Sequence, residues 1–343
     1  MKKLLNTLFI LSEDAYLTLN GETVDVCYSD GTHKTVPLHL LEGIVCFSYK
    51  GASPAFMGAC VEKGIHLSFY SPHGKYLASV ANTTNGNVYL RRSQYRLADD
   101  KSASLGISKN FIIGKLYNEK YVLLRCVRDH EMRVNAEKIR QTANNVSKHM
   151  KDAEAAMDVS SLRGIEGNAA SEYFQVFNEM ILQNEDDFCF EGRNRRPPMD
   201  RTNALLSLAY SMLTNECAAA LYGVGLDPYI GFMHVDRPGR KSLALDLEEE
   251  LRAPYADRFV LTLINNRVVN KNDFIIRENG AVVLTDEGRK QIFAEWQKKK
   301  KQTITHPFLN EKIEWGLVPH IQSLLLARFI RGDLEQYPPF FWK

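Results

Sequence analysis

The sequence predicts an α+β protein, with a small N-terminal β-sandwich or β-sheet domain in residues 1–100 and a mostly α-helical domain in residues 101–343. Short β-prone runs separated by turn dipeptides fill the first hundred residues, whereas apolar residues with helical spacing fill the remainder. The length of 343 residues also suits about two domains better than one core.

Turn dipeptides organise the N-terminal domain. Asn20-Gly21 and Asp30-Gly31 each follow a β-prone run. Both favour a tight hairpin, because the two turn positions need a positive φ angle. The predicted strands lie at residues 16–19, 23–28, 43–47, 65–70 and 76–80, and one short helix is predicted at residues 55–63.

The apolar run near the N-terminus is interpreted as an edge or core strand. It is only about eight residues long and breaks at Ser12 with no small-residue cleavage site, which argues against a signal peptide. No stretch reaches the roughly 20 apolar residues of a membrane span. The six cysteines form no C-x-x-C pair, so they are interpreted as free thiols. We therefore expect a cytoplasmic protein without membrane attachment.

Helical spacing of apolar residues begins near residue 108. The domain boundary is predicted between residues 95 and 108, where charged and small residues cluster. Capping signals stand at both ends of the helical pattern at residues 203–222. Asp200 is predicted near its N-cap, and Gly223 and Gly225 follow its end. The helices predicted here lie at residues 137–151, 166–183 and 203–222.

Glu166 is the first candidate functional residue of the helical half. It lies between Gly164 and Gly167, and a glycine costs about 1 kcal/mol in a helix interior. We therefore predict that a helix begins here, with Glu166 in a first turn where the helix dipole favours a carboxylate. A simple N-terminal carboxylate and a functional acid both fit this pattern.

His234, Asp246 and Glu249 are the other candidates. A lone histidine is usually a surface or hydrogen-bonded residue, although neutral imidazole also binds transition ions. Asp246 and Glu249 are spaced i,i+3, so they share one side of a helix, and a hard cation would relieve their repulsion. The alternative is a solvated acidic face that pairs with Arg252 and Arg258. One histidine with carboxylates suits Mn²⁺ or Mg²⁺ rather than a structural zinc site.

Three ordered segments carry a resemblance to a known family. They are R-G-x-E-G-x-A-A-x-x-Y-F around Glu166, G-F-x-H-x-x-x-x-G-R around His234 and S-L-x-x-D-L-x-E-E-x-R around Glu249. The chain resembles the CRISPR-associated integrases, the larger, catalytic subunit of the spacer-acquisition complex (the Cas "one" family). The likeness extends upstream through residues 41–46 and 51–55 and is close to full length. Within the family, the chain is similar to the subtype I-C branch.

The resemblance implies a dimerising N-terminal β-domain and a C-terminal catalytic domain. It further implies a homodimer, and a heterohexamer in which a dimer of the small adaptation subunit bridges two such dimers. It assigns catalytic and metal-binding roles to Glu166, His234 and Glu249, with Mn²⁺ or Mg²⁺ as the ion. Asp246 matches the preceding acid of the motif and is expected as an auxiliary acid behind the direct ligands, although i,i+3 geometry leaves open whether Asp246 or Glu249 binds the ion directly.

The implied substrates are double-stranded and branched DNA. A 3′-hydroxyl of a captured fragment would attack a phosphate at the repeat boundary, and water in its place would give nuclease activity. The lysine run at residues 298–301 could follow DNA or simply end a helix. The basic residues predicted to contact phosphates are Arg193, Arg195, Arg196, Arg240 and Lys241.

Two other classes of function compete with this prediction. In one, the protein is a non-catalytic DNA-binding scaffold whose acids are surface features. In the other, it is a metal-dependent hydrolase of small molecules, which the absence of H-E-x-x-H and G-x-S-x-G disfavours. A net charge of +2 decides nothing by itself, because phosphate contacts need a locally basic surface.

Overall fold

The computed structural model describes residues 6–343 apart from residues 11, 72–75, 81–87, 184–185 and 195. The predicted α+β class is confirmed, since small sheets come first and helices dominate the rest. Contacts divide the chain into unit 1 (Met1–Asn85 with Arg289–Lys300) and unit 2 (Gly86–Gly288 with Lys301–Lys343). The functional domain limits at residues 100 and 101 stay a prediction.

Unit 1 contains two small sheets and a helix. Its elements are β1 (Asn6–Ile10), β2 (Tyr16–Asn20), β3 (Thr23–Cys27), β4 (His33–Pro37), β5 (Leu41–Cys46), α1 (Pro54–Glu62), β6 (His66–Tyr70) and β7 (Tyr76–Val80). Strands β2, β3 and β4 form an antiparallel sheet. The second sheet has the order β1-β5-β6-β7, in which only β6 and β7 are antiparallel.

The hairpin predicted at Asn20-Gly21 is confirmed. Asn20 pairs with Thr23 at the end of the β2–β3 ladder, and Gly21 has a φ of 56°. The predicted short helix is α1, whose N-cap Ser53 accepts a hydrogen bond from the Phe56 amide. One apolar core joins the sheets and α1, with Leu17, Val24, Val26, Ile44, Phe56 and Leu67 among its members.

Unit 2 is mostly helical. Its helices before residue 270 are α2 (Val88–Asp99), α3 (Lys101–His130), α4 (Ala136–Ala155), α5 (Val159–Gln175), α6 (Arg201–Gly223), α7 (Ser242–Leu251) and α8 (Arg258–Asn265). The strands β8 (Phe274–Ile276) and β9 (Val282–Leu284) come next, and α9 (Asp286–Lys301) follows them. The chain continues with β10 (Thr303–Thr305), β11 (Lys312–Glu314) and α10 (Val318–Arg331). A π-helical segment, Arg252–Asp257, joins α7 to α8. Most of α9, its residues 289–300, belongs to unit 1, and only its ends belong to unit 2.

Helix α5 begins earlier than the sequence predicts. Its first residue is Val159, and the Asp158 side chain caps it by accepting a hydrogen bond from the Ser161 amide. Glu166 therefore lies in the helix interior, and its predicted first-turn position is wrong. The cap and the buried residues of α5 stabilise the helix although two glycines flank Glu166.

Other helix limits follow the sequence more closely. Asp200 is the N-cap of α6, as predicted, and accepts a hydrogen bond from the Asn203 amide. Residues 95–108, where a boundary was predicted, are almost entirely helical, in α2 and α3. The lysine run forms the last turn of α9, where Lys298 Nζ lies 2.5 Å from Glu295 Oε1.

Helix α3 organises unit 2, because α4, α5 and α7 all pack against it. Within the described part of the chain, α6 alone has the length and hydropathy of a membrane span, and 56% of that window is buried inside the protein. Its packing against α7 and α10 is that of a core helix. The apolar cluster between α3, α4 and α5 includes Ile112, Leu116, Val146, Leu162, Ala169 and Met233. This packing directs polar residues of α3, α5 and α7 toward each other.

Candidate active site

Two of the predicted acids meet at one buried ammonium group. Lys115 Nζ of α3 contacts Glu166 Oε1 of α5 and lies 2.9 Å from Glu249 Oε2 of α7. Nε2 of His234 lies 3.8 Å from Glu249 Oε1. The packing of α3, α5 and α7 therefore brings Glu166, Glu249 and Lys115 together and places His234 beside Glu249.

Asp246 holds the loop that carries His234. It is fully buried and accepts hydrogen bonds from the amides of Phe232 (2.6 Å), Met233 (3.1 Å) and His234 (3.0 Å), and from His234 Nδ1 (2.6 Å). Arg163 Nε of α5 donates to the Met233 carbonyl at 2.8 Å, which joins α5 to the same loop. An ionised carboxylate only accepts, so Nδ1 carries the proton and Nε2 is the nitrogen that can bind a metal ion.

The three consecutive glutamates of α7 have different surroundings. Glu248, Glu249 and Glu250 are all buried, so the alternative of a solvated acidic face is wrong. Glu248 Oε1 accepts from Arg252 Nε at 3.0 Å, and Glu250 Oε2 accepts from the Phe340 amide at 2.8 Å. Glu249 is the one that faces both the histidine and the buried ammonium group.

Charges around Glu249 compete with burial. Burial opposes its ionisation, but the positive charges of Arg252, 2.8 Å from Oε1, and of Lys115 prevail and lower the pKa of Glu249 below its ordinary 4.5. Burial also opposes the charge of Lys115, yet Glu249 and Glu166 raise the Lys115 pKa above 10.5. One turn further along α3, burial raises the pKa of Glu119 to about 8. Glu119 is thus mostly neutral at pH 7, while Glu249 and Lys115 are charged.

The donor set fits a hard divalent cation. Two carboxylates supply oxygen ligands and His234 Nε2 supplies one nitrogen, a set that suits Mn²⁺ or Mg²⁺. The Lys115 ammonium lies between Glu166 and Glu249, and its positive charge offsets the repulsion between the two carboxylates. The hydrogen bond from Nδ1 to Asp246 is the arrangement typical of a metal-binding histidine.

If the site holds a divalent ion, Asp246→Asn is expected to lower Mn²⁺ affinity by about 10- to 100-fold, because the amide cannot accept all four hydrogen bonds and no longer fixes the tautomer of His234. Calorimetric titration with Mn²⁺ measures the effect. We expect a higher half-saturating concentration together with a preserved circular dichroism spectrum. An unchanged Mn²⁺ dependence would contradict the positioning role.

Lys115 is the residue of this site that the sequence prediction omits. It has a signal in the sequence, since Lys115 and Glu119 stand in a helical stripe with Ile112, Leu116 and Val122, which are buried. Charged residues are rarely buried without a partner, so two of them in an apolar stripe indicate an internal ion pair or a functional site.

Two residues predicted to contact DNA are engaged inside the protein. Arg193 donates to Asn203 Oδ1 at 2.6 Å, and its guanidinium lies 5.4 Å from the centre of the Tyr210 ring. Lys241 is buried and donates to Asn215 Oδ1 at 2.8 Å, and burial lowers its pKa to about 8. Their contact with DNA stays a prediction that the packing does not favour.

An arginine cluster lies beside the His234 loop. Burial of Arg240 lowers its pKa, and the positive charges of Arg237, Arg163 and Arg196 lower it further. These four residues are the arginine cluster. Arg196 is exposed, whereas Arg195 lies outside the described residues. The cluster is a locally basic surface, although the net charge of the whole chain is only +2.

Comparison with known proteins identifies the family. The family model described as CRISPR associated protein Cas1 matches residues 8–298. The chain is 47% identical over 348 residues to "CRISPR-associated endonuclease Cas1 2" of Rhodospirillum rubrum, and 43% identical over 343 residues to "CRISPR-associated endonuclease Cas1 1" of Chlorobaculum tepidum. Both matches cover 100% of each sequence.

Solved structures show the same fold. A casposase bound to integration product has a TM-score of 0.84 at 22% identity, covering 99% of this chain and 95% of that one. A Cas1 protein from Thermotoga maritima has a TM-score of 0.81 at 23% identity, covering 95% and 97%. A Cas6-RT-Cas1–Cas2 complex also gives 0.81 at 23% identity, covering 100% of this chain and 36% of that one. The family match over most of the chain and the full-length relatives together establish that the chain belongs to the Cas1 family of CRISPR-associated endonucleases.

Proposed function

We propose that this Cas1 family member is a divalent-metal-dependent DNA endonuclease and integrase that inserts new spacers into a CRISPR array. Glu166, His234 and Glu249 would hold Mn²⁺ or Mg²⁺ and form the catalytic centre. The observation that supports this most strongly is the meeting of Glu166 and Glu249 at the Lys115 ammonium, with His234 Nε2 turned toward Glu249.

In the proposed reaction, the 3′-hydroxyl oxygen of a DNA fragment forms a bond to a phosphorus atom at the repeat boundary. The existing bond from that phosphorus to the neighbouring 3′-oxygen breaks, and the leaving oxygen takes up a proton. One phosphodiester replaces another, so no ATP is needed, in agreement with the absence of a G-x-x-x-x-G-K-[ST] motif. A bound divalent ion would neutralise charge on the phosphate and lower the pKa of the attacking hydroxyl.

The protein groups have separate tasks in this proposal. Asp246 keeps His234 in one orientation and one tautomer. Lys115 and Arg252 hold Glu249 ionised and add positive charge close to the phosphate, which favours a transition state with more negative charge on its oxygens. No protein general base is assigned, because the proton on His234 Nδ1 is held by Asp246 and Nε2 serves as a ligand.

We also propose that DNA approaches the exposed side of α5, which carries Gly164 and Gly167. Glu166 itself shares the helix face of the buried residues Leu162, Ala169 and Tyr173. A Cβ atom at Gly164 or Gly167 would meet no described atom within 4 Å, so internal packing does not require either glycine. Each nevertheless costs about 1 kcal/mol in a helix. Small residues on this exposed side would let a DNA backbone come close to the helix, and the arginine cluster would bind its phosphates with a strong dependence on salt.

The remaining predictions about assembly belong to the same proposal. We propose a cytoplasmic homodimer that binds a dimer of the small adaptation subunit to form a heterohexamer. The fold shared with the Cas6-RT-Cas1–Cas2 complex supports a partner of the Cas2 type. The likeness to the subtype I-C branch stays a prediction that a comparison of partner specificity among subtypes would test.

Glu166→Ala is expected to abolish strand transfer, by at least about 100-fold, because the ion loses an anionic ligand that holds it at the phosphate. The assay follows fragment insertion into repeat DNA, and cleavage of branched DNA, with Mn²⁺, Mg²⁺ or EDTA. Glu172→Ala is the matched control, since Glu172 lies on the same helix and pairs with His149 at 3.1 Å instead.

DNA affinity separates this proposal from a non-catalytic scaffold. The proposal expects Glu166→Ala to bind branched DNA with nearly wild-type affinity while its products disappear. A scaffold would bind DNA equally well in both forms and would give no metal-dependent product in either, which would refute the proposal.

A further inference from the structure

We infer that Asp25, Cys27 and His33 form a zinc-binding site in unit 1, distinct from the candidate active site. All three lie on the three-stranded sheet formed by β2, β3 and β4. One carboxylate oxygen, the thiol sulfur and one imidazole nitrogen lie within 4.8 Å of one another. Three different ligand types thus converge on one face of a small sheet.

Strand register explains the convergence. Cys27 is the direct cross-strand partner of His33 in the β3–β4 ladder. Asp25 precedes Cys27 by two residues, so its side chain is on the same face of β3. Val24 and Val26, which alternate with them, are buried in the core of unit 1. The sheet therefore presents the three ligands together on the face opposite to its core.

The distances are close to those of a tetrahedral site. Ligands about 2.0–2.3 Å from a zinc ion lie roughly 3.3–3.8 Å from each other. Asp25 Oδ2 lies 3.1 Å from His33 Nδ1, so small rotations of the side chains suffice. The other carboxylate oxygen, Asp25 Oδ1, is inaccessible to solvent and has no hydrogen-bond partner among the described residues. A half-buried carboxylate with one inaccessible, unmatched oxygen is poorly compensated by an exposed histidine alone.

The ligand chemistry selects the ion. Cys27 is a free thiol, and a thiolate with an imidazole favours Zn²⁺ over Mg²⁺ or Mn²⁺. Glu166, Glu249 and His234 contain no sulfur, so the two sites would bind different classes of ion. Three protein ligands leave one coordination position of zinc for water or for a ligand from another molecule.

Binding at this site would fasten β4 to β3. His33 is exposed, and β4 is an edge strand whose ladder partner among the described residues is β3. An ion that bridges the two strands binds the folded hairpin alone, and it therefore stabilises unit 1 by mass action. The expected consequence is a thermal stability that rises with zinc.

Cobalt provides a direct test, because a cysteine thiolate bound to Co²⁺ gives a charge-transfer band in the near ultraviolet that oxygen and nitrogen ligands do not give. Titration of the full chain with Co²⁺ is expected to produce this band at about one equivalent, and Zn²⁺ is expected to remove it by displacement. Cys27→Ser should abolish the band. Cys189→Ser, the same change at an exposed cysteine, should leave it intact.

His33→Ala is the second variant, chosen because His33 is exposed and its removal should not impair folding. It is expected to weaken Co²⁺ binding by at least about tenfold, with an unchanged melting temperature in EDTA. Absence of the band in the wild-type chain, or a band that survives Cys27→Ser, would overturn the proposal. In that case Asp25 and His33 form an ion pair only.

Discussion

Glu249→Gln is expected to abolish DNA cleavage and strand transfer and to destabilise the protein. The carboxylate contacts Lys115 and Arg252; Lys115 and Glu249 are almost completely buried, and the Arg252 side chain is 13% exposed. Its loss leaves two buried cations with one partner fewer, which costs about 3 kcal/mol. The melting temperature should fall by about 5 to 10 °C. The catalytic rate should fall by at least about 100-fold, since the proposed ion loses a ligand.

Glu166→Gln is the matched comparison for Glu249→Gln. The Glu166 side chain is 20% exposed, and Lys115 would keep its pairing with Glu249. We expect an equal loss of cleavage with a stability change below about 1 kcal/mol. Thermal unfolding in EDTA and cleavage assays in Mn²⁺ measure the two effects separately. Equal melting temperatures for both variants would contradict the view that Glu249 stabilises the site by pairing with both Lys115 and Arg252.

Lys115→Met is expected to lower stability in EDTA by about 3 kcal/mol, because Glu249 and Glu166 lose the ammonium between them. The same change should tighten Mn²⁺ binding by at least about tenfold, since the ion no longer meets a positive charge beside its ligands. Stability should therefore become strongly dependent on Mn²⁺, with a larger rise in melting temperature than in the wild-type protein.

Calorimetric titration of Mn²⁺ and thermal unfolding with and without Mn²⁺ measure these effects. Lys109→Met provides the control, because Lys109 lies on the same helix and donates to the Glu154 carbonyl at 2.7 Å. It should change neither property. If Lys115→Met bound Mn²⁺ no better than the wild-type protein, the ion would not share the carboxylates that Lys115 contacts.

Much of the fold follows from local sequence rules. The Asn20-Gly21 hairpin and the Asp200 cap of α6 lie where turn and capping chemistry predicts them, and α1 covers the predicted short helix. These features depend on a few neighbouring residues, so a single sequence contains the information. The start of α5 was predicted wrongly because the glycines at 164 and 167 were taken as the signal for the helix start. The true cap, Asp158, lies further upstream, and both glycines are inside the helix.

The sequence by itself determined the class of fold, the family motifs and the three residues proposed as ligands. Within the run Glu248, Glu249 and Glu250, only the spacing from Asp246 and the family motif favoured Glu249, because the three side chains are chemically identical. Tertiary packing made them different: Glu248 meets Arg252, Glu250 meets the C-terminal segment, and Glu249 faces His234.

The tertiary structure alone also decided the role of Asp246, whose oxygens are both occupied by the His234 loop, and the presence of Lys115. Helical spacing placed Asp246 and Glu249 on one side of α7, but it could not say which of them met the loop and which met α3. Coulomb interactions depend on distances between atoms of separate helices and on their removal from water. Those quantities exist only when α3, α5 and α7 are packed together.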